Sequence, residues 1–329
     1  MDTTVNIKEE LSRGILLYRN TNASLWLTVF GLILAMLIWG SSFIAMKIAL
    51  TAYHPLLVVL GRMLTASFIF LLLRKRFGTI RYQKGDWKLL GLMALCEPCL
   101  YFTCETYALV FTSASEASMI TGLLPLMTAV AARYALGEKL SAKTFVGFVV
   151  AFCGIVALTL AGKPTENAPQ PLLGNSLELI AMACATVYTL LSRVLSTRYS
   201  ALFITAVQAF VGSVFFLPVT FFPSTYTLPE FSWLTSSAII YLGGVVSVVA
   251  YFLYNHALSK IPASQVSPYV NLIPVFSLLL GWLILDEQLT QWQYLAATVV
   301  VGGALAAHIE VDGFWRRRTS SVLRAVPNK

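Results

Sequence analysis

Ten stretches of about twenty apolar residues follow one another along the chain, and they restrict its fold more than any other feature. A segment that long and apolar is stable where lipid surrounds its side chains and its backbone groups bond within the segment. The runs cover approximately 26–50, 56–73, 89–110, 116–136, 143–161, 175–195, 201–221, 234–257, 264–285 and 290–308. Arg74-Lys75-Arg76, Gly162-Lys163-Pro164 and Phe222-Pro223-Ser224 punctuate some of them, and the tight turn Tyr53-His54-Pro55 separates two others. The 201–221 run is the least regular, with Pro218 near its end. With 57% hydrophobic and 12% charged residues, against roughly a quarter charged in a soluble domain, the chain has too little polar surface for a water-soluble globule. The expected fold class is an all-α membrane protein of ten transmembrane helices.

The first run begins after a polar leader, residues 1–25, and is too long for the core of a cleavable signal peptide. Ile7, Leu11, Ile15 and Tyr18 recur in the leader at helical intervals, which fits a helix lying on the membrane surface or a frayed tail. The net charge of +8 and pI near 9.3 do not describe one basic patch. Lys8, Arg13 and Arg19 lie in the leader, Arg74 to Lys88 after the second run, Lys139 and Lys143 after the fourth, Arg193 and Arg198 after the sixth, and Arg316 to Lys329 in the tail. On the other side Lys163 is nearly alone. The positive-inside rule therefore puts both termini in the cytoplasm, which requires an even number of spans. The basic charge is a topology signal, and nucleic acid is not an expected partner.

An internal repeat organises the runs. Ala114, Ser115, Ser118, Leu123, Pro125, Leu136, Glu138 and Leu140 recur as Ala263, Ser264, Ser267, Leu272, Pro274, Leu285, Glu287 and Leu289, all at one offset of 149. Ala108-Leu109 and Ala257-Leu258 keep the same offset, and Ala35-Met36 and Lys47 map onto Ala181-Met182 and Arg193 at a slightly shorter one. The domains read as a cytoplasmic leader 1–25, a first five-helix repeat 26–161, an extracytoplasmic linker 162–174, a second five-helix repeat 175–310 and a basic cytoplasmic tail 311–329. Because five is odd, the second copy enters the membrane from the opposite side. Inverted repeats of this kind build carriers, with the solute held near the midplane between halves that rock against each other.

"IWGSSFIAMKIAL", "PLLVVLGRMLTASF" with Pro55 and Arg62, and "TSASEASMITGLLPLMTAVAARYALGEKLS" resemble the EamA branch of the drug/metabolite transporter superfamily. The resemblance runs from about 26 to 308. It implies ten helices, both termini inside, and transport of small metabolites, commonly export of amino acids or related compounds. The second copy lacks the Trp39-Gly40 pair, so contacts with a substrate are not expected to be symmetric.

Ionisable side chains inside apolar runs are functional candidates, because each costs about 2.5–3.5 kcal/mol at mid-bilayer on insertion scales. Lys47, Arg62 and Glu105 count to a shared depth in the outer third and are expected to form an ion-paired cluster, with a structural or gating role and substrate contact as the two readings. Glu97 lies near mid-span with no cation at its depth. Either it is neutral and hydrogen-bonded, or it faces a wet cavity and meets a cation or proton there. Opposite these in the repeat stand Val246, Tyr254 and Gln208, so one half is charged and the other polar-aromatic. The substrate-facing set is therefore Glu97, Trp39, Tyr101, Tyr251, Tyr254, Tyr269 and Asn271. For the tyrosines ordinary packing is the competing reading, and for Trp39 a lipid-facing position. Pro98, Pro125 and Pro274 are expected to kink their helices, and Glu138 and Glu287 read as helix-end residues.

Cys96-Glu97-Pro98-Cys99 has the spacing of a redox pair, but such a pair needs a strand–helix setting and an exposed thiol. His54, His256 and His308 show no metal-ligand spacing. No metal, cofactor or catalytic residue is expected. The partners are a small-molecule substrate and the lipid bilayer, with a homodimer left open, in the inner membrane if the source is bacterial. A membrane-embedded enzyme acting on a lipid-linked substrate is the competing reading and a channel a minor one.

Overall fold

The computed structural model describes residues 3–78, 80, 82–135, 142–161, 164–166, 168–221, 232–295, 298–299 and 302, with the backbone alone for 3–25, 143, 144, 148 and 161. Glu138, Lys163, the 222–224 turn, the tail 311–329 and most of the last expected run lie outside the described residues.

The described chain is helical almost throughout. Its helices are α1 (Thr3–Leu50), α2 (Pro55–Leu72), α3 (Asp86–Ala94), α4 (Tyr101–Phe111), α5 (Ala114–Ile120), α6 (Leu124–Ala135), α7 (Ala142–Ala161), α8 (Pro171–Leu195), α9 (Ala201–Phe216), α10 (Trp233–Tyr241), α11 (Tyr251–Lys260), α12 (Ala263–Val266) and α13 (Leu272–Leu285). Local signals place many of the ends. Prolines open α2 and α8, where a missing N–H costs nothing. The Ser113 and Ser200 side chains accept from the backbone N–H of Glu116 and Phe203, capping α5 and α9. Asp286, at φ 52°, closes α13 in the left-handed conformation common after a helix.

Seven segments of the described residues are long and apolar enough to cross a membrane: Trp26–Leu50, Pro55–Leu72, Ala114–Ala135, Pro171–Leu195, Ala201–Phe221, Trp233–Lys260 and Ala263–Leu285. The third expected run is present as α3 and α4, joined across a kinked stretch, Leu95–Leu100; Asp86 and Lys88 stand just before the run, and Glu97 and Glu105 lie inside it. At the matching place in the second half, between α10 and α11, the chain is a wider π-helical stretch, Leu242–Ala250, without the break at Glu97. A tightened 3₁₀ turn before Pro125, Thr121–Leu123, likewise has its counterpart before Pro274, Ser267–Asn271. The repeat read from side chains is thus also written in the backbone irregularities.

The surface is apolar. Trp26, Phe30, Phe68, Leu72, Val214, Trp282 and Leu283 are exposed, as a lipid solvent allows and water does not. The two halves do not form separate cores: α1 packs on α13, α10 and α11, α2 on α9, and α4 on α8. Glycines permit the closest approaches. A Cβ at Gly243 would sit 2.5 Å from Thr65 Cβ and 2.6 Å from the Arg62 carbonyl oxygen, and one at Gly40 would sit 2.7 Å from Phe276 Cβ.

Candidate functional site

The break between α3 and α4 creates the centre of the site. Pro98 disfavours helical geometry at the residue before it, and Glu97 is extended there, at φ −145° and ψ 114°. Its side chain borders a narrow cavity of about 40 Å³ between the two halves, and Glu97 is only 3% exposed. Tyr251, at the start of α11, donates its hydroxyl to Glu97 Oε1 in a short hydrogen bond across the halves.

Tyr251 is also the hub of an aromatic box. Its ring lies 5.0 Å from Trp39, 6.1 Å from Phe102 and 6.2 Å from Tyr188, all edge to face, and Trp39 is 4.9 Å from Tyr254. The Trp39 Nε1 is buried without a partner among the described residues, so a cavity wall here carries an unused donor.

Beside the box stands the one cation of the cavity lining. Arg62 donates its Nε to Ser247 Oγ at 2.7 Å, places Nη1 3.7 Å from Glu105 Oε2 and sits 3.8 Å above the Phe102 ring centre. Tyr101 donates to the other Glu105 oxygen at 2.7 Å. The lining thus combines a compensated Arg62–Glu105 pair with an additional carboxyl, Glu97.

The second half supplies neutral groups. Met182, Ala185, Tyr188 and Thr189 line the cavity from one face of α8. The Tyr188 hydroxyl lies 2.8 Å from Asn255 Oδ1 and 3.1 Å from Gln208 Oε1, while Asn255 Nδ2 donates to Thr205 at 3.0 Å.

Of the residues singled out in the sequence, Trp39, Arg62, Glu97, Tyr101, Glu105, Tyr251 and Tyr254 border the cavity. Tyr269 and Asn271 are not part of its lining, and Val270 and Ile273 take their place. Val270, at the end of the 3₁₀ turn, and Ile273, in the first turn of α13, are three apart and share a face, so the cavity wall here is apolar. Lys47 does not join Arg62 and Glu105; it lies in the electrostatic field of Glu287 and Glu116. Tyr188 and the α8 face escaped the sequence reading, although the 182, 185, 189 spacing of that face is a helical stripe.

Polar clamps close both ends of the bundle. At one end Glu287, just beyond α13, accepts the backbone N–H groups of Ala114 and Ser115 at 2.9 Å each, capping α5 from the other half. Next to it Glu116 receives Asn175 Nδ2 at 3.0 Å, Thr112 Oγ1 at 3.2 Å and Gln293 Nε2 at 2.5 Å. At the opposite end Asp86 accepts from the Tyr199 hydroxyl at 2.7 Å and the Gln83 N–H at 3.0 Å, with Arg198 Nη1 3.0 Å away. Desolvation pushes the Asp86 carboxyl up, but the Tyr199 and Gln83 hydrogen bonds and the Arg198 charge outweigh it and hold the group below its ordinary 3.8.

An apolar-surfaced helical protein with an interior cavity built from two repeated halves is a multi-pass membrane protein of the solute-transporting kind. The chain belongs to the EamA-like transporter family, which it matches over residues 26–160 and again over 172–307. It is similar to the uncharacterized transporters YetK and YcxC of Bacillus subtilis (strain 168). The identities are 28% over 84% of this chain and 85% of YetK, and 27% over 85% of this chain and 92% of YcxC. It is also 22% identical to a "Probable terminal-alkyne amino-acid exporter" of Streptantibioticus cattleyicolor, over 89% of this chain and 96% of that protein. A crystal structure with 19% identity shares the fold at a TM-score of 0.64, covering 86% of this chain and 98% of its own.

Proposed function

We propose that this protein is a ten-helix secondary carrier, with both termini in the cytoplasm, that exports amino acids or related amine-bearing metabolites by alternating access. The observation that carries this reading is the pairing of Glu97 with the Arg62–Glu105 couple around one cavity walled by Trp39, Tyr251 and Tyr254. A substrate ammonium replaces the Tyr251 hydroxyl at Glu97, a substrate carboxylate competes with Glu105 for Arg62, and the aromatic box takes the side chain. The amino-acid exporter among the similar proteins agrees with this solute class. Both end clamps join residues of opposite halves. Releasing one while keeping the other opens the cavity to one face only, as alternating access requires.

The test is thermal stabilisation of the detergent-purified protein by amino acids, amines and quaternary ammonium compounds, each run on wild type and Glu97→Gln. Stabilisation of wild type by an amine-bearing ligand, lost in Glu97→Gln, is the expected result. Equal stabilisation of both proteins would remove Glu97 from the binding site.

A further inference from the structure

Glu178 lies on α8, wholly buried, and neither of its carboxyl oxygens has a hydrogen-bond partner among the described residues. A charged carboxylate in such a place costs several kcal/mol unless it is paired, and no described cation is bonded to it. α8 runs antiparallel to α4 at close quarters. A Cβ at Gly174 would meet the Thr112 nitrogen at 2.8 Å and the Ala108 oxygen at 2.9 Å. One turn further along α8, Glu178 therefore faces the Cys104–Glu105 level of α4, and its electrostatic partners there are Glu105, Tyr101 and Cys104.

Tyr101 gives its one proton to Glu105, and Arg62 is spent on Glu105, Ser247 and Phe102. From α5, Glu116 is held by Asn175, one turn before Glu178. The kinked stretch contributes Glu97 with Cys96 and Cys99, and Glu97 is bonded to Tyr251. On α3, Asp86 is clamped by Arg198 and Lys88 is exposed; on α6, Arg133 is exposed; on α11, Tyr254 bonds Thr189, His256 packs on Phe252 and Lys260 is exposed; on α8 itself Arg193 donates to the Leu258 carbonyl. The described side chains of α7 and α12 include no cation. No described cation is placed to neutralise Glu178.

We propose that Glu178 is a proton-binding site, distinct from the solute cavity and coupled to it through Glu105. Glu178 holds its proton most tightly when the neighbouring Glu105 carries its charge, because a like charge nearby disfavours a second carboxylate. A solute of net positive charge in the cavity weakens that hold, and the proton leaves; by linkage, a proton on Glu178 weakens binding of that solute by the same factor. No bond other than the carboxyl O–H is made or broken, and the proton goes to water. The exchange of solute for proton rests on the transport reading given above, whereas the proton site and its coupling to Glu105 do not.

The experiment reads the carbonyl stretch of a protonated carboxylic acid in infrared difference spectra of the purified protein, titrated with pH and without ligand. Wild type is expected to show a band that Glu178→Gln lacks, with Glu178→Leu as the second assignment variant. In the folded fraction of Glu105→Gln, the proton at Glu178 binds at least about tenfold more weakly, because a neighbouring negative charge is gone and Arg62 is unpaired. In Arg62→Gln it binds at least about tenfold more tightly, for the opposite reason. Absence of a Glu178-dependent band in wild type overturns the proton site. A band whose midpoint is the same in wild type and both pair variants overturns the coupling. A third arm adds L-lysine in weak buffer with a pH-sensitive dye: proton release from wild type but not from Glu178→Gln supports the exchange, and equal release from both overturns it. If L-lysine fails to bind, the proposed solute class fails for that compound, and the ligand-free spectra decide Glu178 by themselves.

Discussion

Removing one partner of the Arg62–Glu105 pair is expected to cost far more than removing both. The side chains are 2% and 7% exposed and their charged atoms are 3.7 Å apart. At an effective dielectric constant of about 20, that distance is worth about 4–5 kcal/mol of attraction. Glu105→Gln keeps the shape and an acceptor for Tyr101 but strands a buried guanidinium, which Ser247 and the Phe102 face compensate only in part. The expected loss is about 3–5 kcal/mol, the usual cost of breaking a buried pair. Arg62→Met strands Glu105 in the same way. The double variant Arg62→Met/Glu105→Gln leaves no buried charge of the pair and is expected within about 2 kcal/mol of wild type, since neutral replacement of a buried pair is often tolerated. Equilibrium unfolding in mixed micelles, with the four proteins as a double-mutant cycle, gives the coupling energy directly. Single-variant losses that add to the double within about 0.5 kcal/mol would mean the pair does not act as one unit, and the account of the site as a compensated couple beside Glu97 would fall.

Gly243→Ala is expected to destabilise by about 1–3 kcal/mol through overpacking against Thr65 and the Arg62 carbonyl. Gly91→Ala, where an added Cβ meets nothing within 4 Å, should be neutral or stabilising in the same unfolding assay. Glu287→Ala leaves the first two N–H groups of α5 without their acceptor and should cost about 1–2 kcal/mol, with faster hydrogen exchange at Ala114 and Ser115 by mass spectrometry. Asp86, held below its ordinary 3.8, stabilises the folded state above about pH 4 and loses that contribution as pH falls through its folded value. The thermal-stability advantage of wild type over Asp86→Asn should therefore be present at neutral pH and vanish in acid. An advantage that persists in acid would show that Asp86 acts through something other than its charge.

What is legible in the sequence is what carries a strong local cost or a long-range coincidence. Lone charges such as Arg62, Glu97 and Glu105 stand out against apolar runs because lipid makes them expensive, and the structure gathers all three at one cavity. The shared prolines and glutamates at one offset exposed the repeat. Glu178 obeys the same rule as Glu97 but is less legible, because a run counted from 175 puts it in the first turn, where an acid is unremarkable beside the helix dipole. The helix in fact starts at Pro171, which carries Glu178 into the interior. Lys47 shares a counted depth with Arg62, but depth alone does not fix azimuth, and its helix turns it toward Glu287 and Glu116. The kinked and π-helical stretches depend on how neighbouring helices pack, and only the extended Glu97, set by the following proline, was foreshadowed locally.

The cap on α5 has a consequence for how the protein is made. The acceptor for Ala114 and Ser115 is Glu287, separated from them by 173 and 172 positions in sequence. While the chain is being synthesised, the first repeat therefore enters the bilayer with two backbone donors whose folded-state acceptor lies late in the second. The first half is a partial product waiting for its complement, and a ribosome that stalls before Glu287 leaves a membrane protein whose α5 has no finished beginning.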